Sequence, residues 1–153
     1  MTDASPRSDP RITQALSFQL LVAVNRLTRP FPEAIGRPND LALPDWRCMM
    51  ALAAWPDSSG EDVARAMGMD RMSVSRSLRS LERRGRAARQ PDPANRKRQR
   101  WRMTDAGWDL FDRLLPEALA RDAQAFGGLS AEERRHLADA LSGVLDWEST
   151  GGR

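Results

Sequence analysis

The residues best suited to chemistry in this chain are serines and arginines between Arg71 and Arg102. Arg71, Ser73, Ser75, Arg76 and Arg79 fall in one short helical stretch. The segment PDPANRKRQRWR (91–102) then brings Arg96, Lys97, Arg98, Arg100 and Arg102 together around turn residues. A guanidinium presents a rigid fork of donors that fits a guanine edge or a phosphate, and a serine hydroxyl can bond any base edge. Their common chemistry is hydrogen bonding and ion pairing to a polyanion. From 71 to 102 there are twelve basic residues and two acidic ones, Glu82 and Asp92, a net of +10. With +3 for the whole chain, the remainder carries 3 − 10 = −7. A solvated face mixes signs; concentrated positive charge is the footprint of nucleic acid. A compositional preference for arginine explains Arg over Lys, but not the shortage of acids here alone.

Other chemistries find little support. A Ser-His-Asp arrangement would have to use His136, which stands among Glu133, Arg134 and Arg135, and no Gly-x-Ser-x-Gly or phosphate-cradling glycine loop occurs. Neither catalysis nor a cofactor is expected. One cysteine, Cys48, and one histidine cannot make an intrachain disulfide or a His/Cys metal cluster. Cys48 lies beside Met49, Met50 and Ala51, which favours a buried core thiol; Arg47 next to it keeps a redox role open. With no apolar run of about 18 residues and no apolar leader in MTDASPRSDPRITQ, the expected location is the cytoplasm.

The elements that must position these side chains follow from periodicity. Residues 1–11 read as a flexible arm. From Ile12 an apolar stripe through Leu16, Leu20, Val24 and Leu27 predicts a helix ended or kinked by Pro30 and Pro32. Pro44 suits the first turn of a helix reaching Ala54, with Trp46, Met49, Met50 and Leu52 as its apolar side. Ser58 with Glu61 makes a candidate capping box for a helix over 60–67. Asp70 is an N-cap for a helix over 71–84 with Val74, Leu78 and Leu81 inward. Strand character follows at 86–90 and 99–103, where Trp101 and Met103 point one way and Arg100 and Arg102 the other. Thr104 caps a long helix to about Phe126, and Ser130 with Glu133 opens a last one. The order is α-α-α-α-β-β-α-α, mainly α with one β-hairpin.

Within this order, 60–79 has the spacing of a helix-turn-helix. Ala64 is small where two helices would cross, Gly68 tolerates positive φ in the turn, and Val74 anchors the second helix. Val63, Met67 and Met69 fill the wedge. A recognition helix followed directly by a basic hairpin makes double-stranded DNA the expected partner.

The stretches LPDWRCMMALA (43–53), VARAMGMDRMSVSRSLRSLERRG (63–85) and DPANRKRQRWRMTDAG (92–107) together resemble the MarR family of winged helix-turn-helix transcription regulators. The resemblance implies a winged helix-turn-helix over 43–103 and a helical dimerisation part over 12–35 and 104–148. It further implies a homodimer, two half-sites on successive DNA turns, Arg96 in a minor groove, and repression as the commoner mode. Since such regulators often bind small aromatic or phenolic molecules, Trp46, Met49 and Met50 are candidate effector contacts, or else simply core. The alternatives kept beside this reading are an architectural, low-specificity DNA binder and a redox-sensing regulator using Cys48. Three residues depart from the family pattern: Asn95 for the usual wing aspartate, Ser77 for an apolar residue, and Arg86 for a leucine opening the first wing strand. The first raises whether an amide can orient Arg96. The others suggest a looser interior under the wing.

Overall fold

The computed structural model describes residues 9–151, with side chains as far as Asp146. It holds seven helices and three strands among these residues: α1 (Pro10–Gln14), α2 (Leu16–Thr28), α3 (Leu43–Ala54), β1 (Ser58–Ser59), α4 (Gly60–Met67), α5 (Arg71–Arg83), β2 (Ala87–Asp92), β3 (Asn95–Met103), α6 (Asp105–Ala125) and α7 (Ala131–Gly151). Most of the expected flexible arm, residues 1–8, lies outside the described part. Pro10 and Arg11, placed in that arm by the sequence, already belong to α1, whose N-cap Asp9 accepts from the Arg11 backbone N–H. The single helix expected from Ile12 is broken at Ala15, whose backbone is extended (φ −66°, ψ 127°). After α2 the chain continues in two short helical turns. Pro32–Gly36 forms a π-helical turn and Arg37–Asn39 a 3-10 turn.

Two compact units divide within α6, at Phe111 and Asp112. The first contains the whole winged helix-turn-helix. Its core is built from side chains that the 3.6-residue period puts inward: Cys48, Met49 and Leu52 from α3, Val63 from α4, and Val74, Leu78 and Leu81 from α5, each at most 1% exposed. Trp46 stacks on Phe111 at 5.1 Å between ring centroids, and Trp108 meets the same ring edge-on. Ser77, the polar departure inside α5, is buried and also lines the cleft beside that helix. Arg86, the second departure, turns away from the wing interior and donates to the carbonyl oxygens of Asn39 (2.6 Å) and Asp40 (2.8 Å). Ala87 occupies the buried start of β2 instead.

The sheet has the order β1-β3-β2, all antiparallel. The wing hairpin is longer than the two short strands the sequence suggested. Ala87 pairs with Met103 and Asp92 with Asn95, with an irregularity at Pro91/Asp92. The third strand was not anticipated: Ser58 and Ser59 pair with Trp101 and Arg100. Two residues give no periodicity to read, so only the partner strand makes them β. The capping box at α4 is correspondingly shifted by one. Ser59 Oγ accepts from the Asp62 N–H (3.1 Å) while the Asp62 carboxylate accepts from the Ser59 N–H (3.1 Å); Ser58 and Glu61 do not form it. At α7 the box is where the spacing puts it, between Ser130 and Glu133.

Candidate nucleic-acid interface

The turn of the helix-turn-helix is local chemistry. Gly68 ends α4 at φ 58°, a left-handed conformation that costs glycine nothing. The Met69 N–H then bonds back to the Ala64 carbonyl at 3.0 Å. Ala64 is buried, as a close helix crossing requires, and Met67 and Met69 are half-buried. Asp70 restarts the chain as the N-cap of α5, accepting from the Ser73 N–H at 2.8 Å. The Ser73 hydroxyl first, and that backbone bond next, hold the Asp70 carboxyl below its ordinary range.

With Val74, Ser77, Leu78 and Leu81 fixed inward, the opposite side of α5 is the row Met72, Arg76, Arg79 and Arg83, at spacings of four, three and four. All four are exposed. Arg76 reaches the Ser73 hydroxyl at 3.3 Å. Ser73 and Ser75 flank the row and are half-buried. Arg71 lies to one side, where it pairs with Glu61 of α4 at 2.8 Å.

The wing is held to the helix-turn-helix by three further arginines. Arg98 places Nη2 2.9 Å from both the Ser59 hydroxyl and Asp62 Oδ1, so it grips the α4 cap. Arg100 pairs with Asp92 at 2.9 Å and donates to the Asp57 carbonyl. Asp92 is itself buried, and its carboxyl is held below the ordinary range by the Ala94 N–H first and Arg100 next. Arg89 pairs with Glu82 and lies over the Trp101 ring, 5.8 Å from its centroid. As alternation predicted, Trp101 and Met103 are buried and Arg102 is exposed, but Arg100 is half-buried by its partners.

The twelve basic residues of 71–102 thus divide evenly. Arg71, Arg84, Arg86, Arg89, Arg98 and Arg100 are committed to acids or carbonyls within the fold. Arg76 bonds the Ser73 hydroxyl and acts on Asp70 through its charge alone, and Arg79, Arg83, Arg96, Lys97 and Arg102 are exposed with no ion pair among the described residues. Arg96 and Lys97 sit beside the wing tip. Asn95 does not engage the Arg96 guanidinium; its Oδ1 accepts from the Lys97 N–H at 3.1 Å and shapes the turn.

A cleft of about 790 Å³ runs beside the C-terminal half of α5, lined among others by Phe31, Asp45, Arg76, Ser80 and Arg84. Ser80 donates to the buried Asp45 (2.8 Å) and accepts from Arg84 (2.8 Å), which also forks onto Asp40. Trp46 and Met49 are buried in the core and Met50 is half-buried. The Cys48 thiol is fully buried, and burial together with the nearby Asp45 charge pushes its pKa up to about 12. His136 is exposed on α7, 3.9 Å from Glu132. No group of three metal-ligating side chains occurs, nor any helix long and apolar enough to cross a membrane, among the described residues.

Sequence and structure comparisons agree with this geometry. A sequence profile of the MarR family matches residues 39–98. Among solved structures, BpsR of Bordetella bronchiseptica, whose DNA binding is regulated by 6-hydroxynicotinic acid, is 25% identical with a TM-score of 0.76, over 93% of this chain and 99% of that one. Sco3205 of Streptomyces coelicolor, a MarR family regulator solved with DNA, has a TM-score of 0.75 at 20% identity, over 94% and 92%. A MarR/EmrR family regulator of Acinetobacter sp. ADP1 reaches 0.81 at 19%, over 90% and 97%.

Proposed function

We propose that this chain, which the MarR family profile matches over residues 39–98, is a homodimeric MarR-type repressor that binds a pseudo-palindromic operator and is released by a small molecule. The observation that carries the DNA reading is the outward row Arg76–Arg79–Arg83, set beside the uncommitted Arg96 and Lys97 of the wing in one compact unit. Arg76 and Arg79, with Ser73 and Ser75 flanking, read base edges from the major groove; Arg96 and Lys97 meet backbone and minor groove. Arg71 and Arg98 contribute by bracing α4 against α5 and the wing.

Dimerisation is supported by apolar exposure. None of the thirteen residues of α2 is buried, and Leu16, Leu21, Val24 and Leu27 are between 44% and 75% exposed. The second unit independently exposes Leu141, Val144 and Leu145. Apolar surface at this density calls for a partner. For the effector, the guanidiniums of Arg76 and Arg83 at the cleft, neither in an ion pair among the described residues, favour a small anionic aromatic molecule there over the enclosed Trp46 and Met49.

The test is selection of an operator from random duplexes, followed by affinity for selected and random DNA at about 150 mM salt. A strong preference for the selected sequence, two half-sites about one turn apart, and lowered transcription from a promoter overlapping the site are expected. Equal affinities would leave an architectural role. Arg76→Ala or Arg79→Ala should relax preference at particular bases, each by roughly 1–3 kcal/mol. Arg96→Ala should weaken all sequences alike.

A further inference from the structure

The outward row of α5 begins with a residue of a different kind. Met72 is 66% exposed, although the helix has buried places for apolar side chains at Val74, Leu78 and Leu81. It stands at the second position of α5, one turn before Arg76 and on the same line as Arg76, Arg79 and Arg83. Cations fill every other place on that line. A methionine there offers no hydrogen bond and no charge, so it adds nothing to phosphate binding.

The first turn of a recognition helix reaches deepest into the major groove. The apolar group available on that groove floor is the C5-methyl of thymine. An unbranched, polarizable thioether adapts to such a target without demanding one geometry. The flanking side chains do not compete for the spot. Arg71 is held aside by Glu61, and Arg76 inclines toward the Ser73 hydroxyl.

Building on the DNA-binding reading, we propose that Met72 is a specificity-determining residue that selects thymine at one position of each half-site by covering its C5-methyl group. Arg76, next along the row, then reads the neighbouring base pair by hydrogen bonds.

The probe is the operator selected from random DNA, with each thymine replaced singly by uracil. Uracil keeps the hydrogen-bonding edge and lacks only the methyl. At one symmetry-related position, uracil should weaken wild-type binding about fourfold per half-site, the effect of one buried methyl, and about fifteenfold when both half-sites are changed. Met72→Ala should bind thymine and uracil operators equally there. Met72→Leu, which keeps an apolar side chain on a helix it suits, should retain discrimination and shows that the fold is intact. The inference fails if no uracil substitution matters to the wild type, or if Met72→Ala keeps the same uracil penalty. Should selection yield no preferred sequence at all, the DNA-reading proposal fails first and this one with it.

Discussion

At the scale of single residues, the useful question is what each charged or reactive group is already doing. Cys48 is shut inside α3 with a pKa near 12, so at pH 8 its thiolate is scarce and shielded. Native protein should therefore resist a thiol reagent and yield one thiol per chain only on denaturation; rapid native labelling coupled to DNA release would restore the redox alternative. Asp92 gives a pH prediction. Its folded-state pKa lies below the ordinary value of about 3.9, so its contribution is complete above about pH 4 and is lost as pH falls through the lower folded value. The difference in Tm between wild type and Asp92→Asn should stay constant above about pH 4 and close in more acid solution. The residue types were legible in the sequence, and their commitments were not. Arg84 meets Asp40 forty-four positions away and Arg98 meets Asp62 thirty-six away. No local spacing announces such pairs.

At the scale of elements, what could be read depended on whether the cause was local. The crossing at Ala64, the turn at Gly68 and the cap at Asp70 are set within a few residues, and all were legible. The Ser58–Ser59 strand exists because β3 runs beside it, and the capping box shifts to Ser59 and Asp62 with it. The break at Ala15 carries no proline or glycine and left no mark in the apolar stripe. The departure at Arg86 reads as a loosened interior because its partners, two carbonyl oxygens, lie 46 and 47 positions away in the sequence. Two substitutions test the joints between elements by thermal unfolding. Gly68→Ala places a Cβ in a left-handed turn and should cost roughly 1–2 kcal/mol. Gly107 packs so closely under the Arg86 carbonyl oxygen that an added Cβ would collide with backbone. Gly107→Ala should therefore cost about 3 kcal/mol, since neither chain segment is a side chain that can swing aside.

At the scale of the molecule, the even division of the basic residues separates stability from DNA affinity. Arg98→Ala should lower stability by at most about 1 kcal/mol, because the pair is part exposed, and leave the salt dependence of binding unchanged. Arg96→Ala or Lys97→Ala should leave Tm unchanged and reduce the slope of log K against log salt by about 1 for each phosphate no longer neutralised. If the proposed dimer forms through the exposed α2 face, wild type should sediment as a dimer and a Leu21→Glu chain, charged in the middle of that face, as a monomer at the same concentration. The short strand β1 matters at this scale too. It is continuous with the first residue of α4 and is hydrogen-bonded to the wing, while Arg98 locks onto the same cap. On the proposed DNA-binding role, α5 and the wing would act as two prongs of one fork whose span is set by β1 and Arg98. Fitting that span would then fall to the DNA, whose twist and bend between the two grooves would become part of what is recognised. One base pair inserted between the two grooves should forfeit one prong outright rather than be absorbed by a swing of the wing.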